Sequence, residues 1–85
     1  MAVAGKFTYV YILQSETDPQ RFYTGVTADL RVRLARHYSG AVAHTAKWRP
    51  WLIKTYIALS AAARAAELEN YLKSASGRAF ATKRL

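Results

Sequence analysis

The chain contains no cysteine, which excludes a disulfide framework, a thiolate metal site and a cysteine nucleophile together. Acid is scarce as well: five Asp plus Glu stand against thirteen Lys plus Arg, giving a formal charge of +8 at pH 7. So few carboxylates exclude the convergent acidic cluster that a two-metal site requires. Long apolar runs are missing; none approaches the ~20 residues of a membrane-spanning helix, and Met1–Phe7 lacks the apolar core of a secretory leader. These absences point to a protein without a membrane, suited to a reducing cytoplasm. No internal repeat, linker or low-complexity tract breaks the chain beyond an Ala-rich stretch near residue 62, which helix propensity explains.

What is present is a small, aromatic, basic globule. Eighty-five residues allow one domain, residues 1–85, with no room for a separate substrate or regulatory unit. Six Tyr and two Trp supply large buried area per residue, which argues against disorder. The positive excess creates a field that attracts polyanions, and nucleic acid is the first such partner to consider.

Along the chain, Thr8–Leu13 places Tyr9, Tyr11 and Leu13 on one face and Val10 and Ile12 on the other, so a strand there is apolar on both sides and belongs in the middle of a sheet. The turn chemistry of Ser15–Gln20 leads into a second strand, Arg21–Val26, and the two form an antiparallel hairpin. A helix of about three turns follows, capped by Thr27, favoured by Asp29 at its N-terminal dipole and stopped by Ser39-Gly40. At roughly 100° per residue, Leu30, Arg33, Leu34 and His37 share its packed stripe, while Arg31, Val32, Ala35 and Arg36 point elsewhere. Leu52–Ile57 reads as a third strand, and Ser60 opens a second helix running to about Ser74, before Gly77. The order is β-β-α-β-α, a small sheet of three strands flanked by helices.

Among the five acids, Glu16 and Asp18 lie in the turn and Asp29 at a helix start, leaving Glu67 and Glu69 on a helix body. Measured from Ala65, Glu69 lies about 40° away and Glu67 about 200° away, so Glu67 is solvated and Glu69 borders the core. A carboxylate at that edge needs a partner. Lys73 at i+4 is one, and a hard divalent cation such as Mg²⁺ is the other, since Mg²⁺ keeps most of its waters and accepts a single carboxylate. Phosphodiester cleavage further requires a proton acceptor for water and a group that neutralises charge on phosphorus. Tyr11, Tyr23 and His37 can serve as the first and Arg33, with its planar fork, as the second.

Tyr9-Val10-Tyr11, then Tyr23-Thr24-Gly25, then Arg33, Leu34, His37 and Gly40, and later Thr45, Pro50 and Glu69-Asn70-Tyr71-Leu72-Lys73, resemble the small single-domain bacterial branch of the GIY-YIG nuclease superfamily. Tyr9 stands where the first glycine of the motif falls, Thr24 replaces its middle isoleucine, and Val26 occupies a place where repair-type relatives carry lysine. The resemblance, which extends to Gly77-Arg78-Ala79-Phe80, implies an α+β fold with a three-stranded antiparallel sheet. It also implies hydrolysis of DNA phosphodiesters with Mg²⁺ or Mn²⁺, in the manner of repair or recombination nucleases. By analogy Tyr11 is the general base or orienter of water, Tyr23 a hydroxyl near the scissile phosphate, Arg33 the phosphate stabiliser, His37 an auxiliary acid or base, and Glu69 the metal ligand.

A second signal is His44–Trp51, a basic loop with two Trp. Lys47, Trp48 and Arg49, together with Lys73, can contact nucleic acid, the aromatics stacking on unpaired bases of single-stranded or branched DNA; alternatively the loop is a packed connection. A catalytically weak nucleic-acid-binding module on the same fold is the competing reading. The 85 residues are expected to hold no separate recognition domain, which leaves room for a targeting partner protein of unknown identity. The chain is expected to be mostly monomeric, with a transient dimer useful for cutting both strands of a duplex.

Overall fold

The computed structural model describes residues 6–85, so residues 1–5 of the segment weighed as a leader lie outside the described residues. Thr8–Ser15 forms β1 and Phe22–Thr27 forms β2, paired antiparallel with Tyr11 opposite Gly25 and Leu13 opposite Tyr23. Trp51–Leu59 forms β3 and pairs antiparallel with the other side of β1, Tyr11 lying opposite Tyr56. The sheet order is therefore β2-β1-β3. The strand that reads as apolar on both sides is the central one, with Val10, Tyr11, Ile12 and Leu13 all buried.

Helices cover both faces. On one, Tyr11, Leu13 and Trp51 pack against Leu30 and Leu34 of α1 (Leu30–Ser39) and against Trp48, which follows the single turn of α2 (Ala43–Ala46). On the other, Val10 and Ile12 pack against Ala65, Leu68 and Leu72 of α3 (Ala62–Lys73) and Ala81 of α4 (Ala75–Arg84). Full burial of side chains such as Leu13 and Leu72 contributes about 1.5–3 kcal/mol each, so two thin cores share one sheet as their common wall.

The helix starts differ from the sequence reading in instructive ways. Asp29, not Thr27, caps α1: its carboxylate accepts the Val32 N–H at 3.1 Å, while the Thr27 hydroxyl accepts the Asp29 N–H at 3.2 Å. A carboxylate is the stronger acceptor and also complements the dipole, so it takes the cap. Gly40 ends α1 in the left-handed conformation, φ 84°, as its sequence position implies. Ser60 does not cap α3, whose N-cap is Ala61 without a side-chain bond.

The described residues also form two helices beyond the expected pair, α2 and α4. Gly77 is not a terminator but lies in the first turn of α4. Ser74 turns the corner: its hydroxyl donates to the Tyr71 carbonyl at 2.5 Å, closing α3, and accepts the Gly77 N–H at 3.1 Å, opening α4. The two helices then approach so closely that a Cβ on Gly77 would collide with the Tyr71 carbonyl and the Leu72 backbone. Backbone cannot move aside as a flexible side chain can. Gly77→Ala is therefore expected to lower unfolding stability by about 1–3 kcal/mol, seen as a reduced urea midpoint; an unchanged midpoint would mean that α4 does not dock in this way.

Candidate active site

Tyr11 is fully buried in the central strand, and its ring leans across the neighbouring strand at Gly25. A Cβ at residue 25 would lie 2.5 Å from the Tyr11 hydroxyl oxygen and 2.6 Å from the ring carbon that bears it. Glycine is thus required opposite Tyr11 because the phenol occupies the space that a side chain would fill. The Tyr-Thr-Gly segment of β2 exists to let the hydroxyl through.

That hydroxyl meets His37. Its oxygen lies 2.8 Å from Nε2, and Nδ1 lies 2.9 Å from the Thr45 hydroxyl oxygen. The direction of the chain follows from its far end: Thr45 Oγ1 donates to the Val42 carbonyl at 3.3 Å, so its lone pair accepts from Nδ1–H. Nε2 is then the acceptor, and Tyr11 donates to it. Thr45 is itself fixed by Trp51, whose Nε1 donates to the Thr45 carbonyl at 2.9 Å. His37 sits in the last turn of α1 and is fully buried.

The charges around this pair act in opposite senses on the two groups. Burial, the neighbouring Tyr23 and the Glu69 carboxylate push the Tyr11 hydroxyl up to about 12, with Arg33 opposing them. Burial, then the positive charge of Arg33 with smaller effects of His44 and Arg36, lowers His37 below its ordinary value. The resting site therefore holds a neutral phenol donating to a neutral imidazole. Arg33 is half-buried beside them, and among the described residues no acid pairs with it. Its fork is left for an anion.

Glu69 lies at the edge of the core with a side chain 17% exposed, whereas Glu67 is 67% exposed and paired with Arg64. The Lys73 ammonium stands 3.0 Å from Glu69 Oε2. Such an i,i+4 pair is worth only about 0.3–0.5 kcal/mol, so a divalent cation can take the carboxylate from it. No group of three or more His, Asp or Glu gathers to hold a metal among the described residues. The donor set thus fits a hard cation that takes one carboxylate and completes its shell with water and phosphate oxygens.

The remaining expected residues spread around this centre. The Tyr23 ring lies 4.9 Å from the His37 ring and 6.2 Å from that of Tyr11, centroid to centroid. The basic loop is a packed connection in large part: the Arg21 guanidinium covers the Trp48 ring at 3.6 Å with Lys47 at 5.2 Å, and Arg49 donates to the Ala46 and Ser39 carbonyls while lying over Gly40. Its contribution to the site is to hold Thr45 behind His37. Thr45 as the imidazole's partner and His44, whose ring lies 5.7 Å from Tyr23, escaped the reading of the sequence as site residues. The spacing of eight residues from His37 to Thr45 crosses a helix end and a turn, so no helical periodicity links them.

With a three-stranded antiparallel sheet, helices on both faces and two tyrosines, an arginine, a histidine and a glutamate drawn toward one region, the architecture is that of a nuclease-type domain. The family model described as the GIY-YIG catalytic domain matches residues 7–84, and the chain belongs to that family. No curated protein and no solved structure matches it. Nucleases of this family are generally dependent on divalent metal. No helix among the described residues is long and apolar enough to cross a membrane.

The Gly25 contact gives a direct check on the geometry. Gly25→Ala is expected to displace the Tyr11 ring and break its bond to His37 at a stability cost of about 1–3 kcal/mol, with fold retained in far-ultraviolet circular dichroism. The His37 imidazole resonances should then shift in a histidine-selective NMR spectrum; unmoved resonances would contradict the packing of Tyr11 over Gly25.

Proposed function

We propose that the protein is a divalent-metal-dependent endonuclease that hydrolyses DNA phosphodiester bonds. The observation that carries this reading is the hydrogen-bond chain Tyr11–His37–Thr45 beside an Arg33 that has no acidic partner among the described residues. Those groups supply a proton path and an anion site side by side, which is what attack of water on a phosphate diester needs.

With its hydroxyl pushed up to about 12, Tyr11 is ionised to only on the order of 10⁻⁵ at pH 7, too little for a standing tyrosinate base. The relay removes that requirement. As water attacks phosphorus, its proton passes to the Tyr11 oxygen while Tyr11 hands its own proton to His37 Nε2. The resulting imidazolium keeps Nδ1–H on Thr45. The electron pair of the breaking P–O bond leaves on the departing oxygen, which is protonated from solvent. Arg33 binds the non-bridging oxygens, and the substrate's negative charge offsets the positive neighbours that hold His37 neutral in the free protein. Glu69 would hold Mg²⁺ or Mn²⁺, which supplies Lewis-acid stabilisation of the phosphate. Tyr23, whose ring packs against that of His37, would supply a second hydroxyl near the scissile phosphate.

Single-stranded and branched DNA are the favoured substrates, since the basic loop carries aromatics that can stack on unpaired bases and duplex sequence reading needs an element that fits a groove. Cleavage of single-stranded, duplex and branched DNA with Mg²⁺, Mn²⁺ or chelator tests the proposal. Wild type should cut only with metal, and Glu69→Gln should lose at least about a hundredfold in rate while keeping its fold and most of its DNA affinity. Salt-sensitive binding without cutting by either protein would overturn the enzyme in favour of an inert binding module.

A further inference from the structure

On the sheet face opposite Tyr11 and His37 lies a cavity of about 490 Å³, within the range that holds small organic groups. Ile12, Phe22, Leu72 and Ala81 give it an apolar wall, and Lys54, Lys73 and Arg78 line it as well. Phe22 is an aromatic side chain on an edge strand, 49% exposed, so a flat group entering the cavity can reach its ring. Arg78 gives one donor to the Lys73 carbonyl at 2.6 Å and keeps the rest of its fork. An apolar slot walled by an exposed aromatic and lined by three cations suits a flat heterocycle attached to a phosphate chain.

The cavity borders the site at two residues. Tyr23 lines it while its ring meets His37, and Lys73 lines it while its ammonium holds Glu69. We propose that this cavity receives one unpaired nucleobase of the substrate strand, next to the phosphate held at Arg33, with Lys73 and Arg78 on the adjoining phosphate. A base inside a duplex is stacked on both sides and paired, so it enters only where the strand is single or splayed. The inference rests on the nuclease reading, which supplies DNA as the polyanion.

The test is binding in chelator, where no cutting occurs, by fluorescence anisotropy with a short oligothymidine and an abasic oligonucleotide of the same length and charge. The abasic strand should bind about tenfold more weakly, as expected from losing a stacked base. Phe22→Ala, and separately Thr82→Trp on the exposed face of α4, which fills the cavity, should weaken oligothymidine binding by a similar factor and leave abasic binding unchanged. Equal affinity for the two strands would overturn the proposal, as would variants that weaken both strands alike. Thermal melts identify a variant that has lost its fold, and the other variant then decides. Base-dependent binding in a protein that never cuts DNA would remove the nuclease reading and leave the base site standing.

Discussion

The buried hydrogen bond from Tyr11 to His37, 2.8 Å long, dictates the positions of the parts around it. A phenol at the centre of a sheet can reach an imidazole on a covering helix only by crossing the adjacent strand, so residue 25 has no side chain. The imidazole faces the strand only from the last turn of α1, so that helix must stop where it does, at Gly40. Its second nitrogen needs a partner in a water-poor place, which the single turn of α2 provides with Thr45. No buried side-chain polar atom among the described residues lacks a partner, and a network satisfied to that degree holds both rings in one orientation.

Charge decides what this network can do. A chain of strong positive charge sets the largely buried Glu69 carboxylate, with Lys73 on it, near Tyr11, and sets Arg33 against His37 with no acid paired to it among the described residues. The free protein thereby keeps its imidazole neutral and ready to accept a proton. An incoming phosphate reverses the local sign, so the same positive groups that suppress imidazolium in the empty site are answered when substrate is bound. Membership of the GIY-YIG family and this electrostatic arrangement point the same way.

The central strand was legible because Thr8–Leu13 is apolar on both faces, and no edge strand has that need. The stripe of α1 was legible for the same kind of reason: Arg31, Val32, Ala35 and Arg36 are exposed, and His37 is buried. The contrast between Glu67 and Glu69 followed from helical angle alone. Other features depend on contacts between distant parts of the chain. Gly77 carries the local signature of a helix stop, but the backbone of Tyr71 and Leu72 across a tight corner makes it a packing glycine instead. Thr45 has no periodic relation to His37, and the packing of Arg49 over Gly40 and of Arg21 over Trp48 joins residues that no periodicity links. Side-chain periodicity reports which face of an element is buried; it does not report which polar groups meet there.

The relay from Tyr11 to His37 is tested most directly by the pH dependence of the cleavage rate in single turnovers. His37 accepts a proton only when neutral, and burial and Arg33 lower its pKa in the free protein, so the rate at subsaturating DNA, which reports the free protein's groups, should fall only as pH drops below the ordinary histidine value of about 6.5. Above that limb the rate should stay level across the alkaline range. A rate that instead keeps climbing about tenfold per pH unit through pH 9 and beyond would make ionised tyrosine the base and contradict the relay.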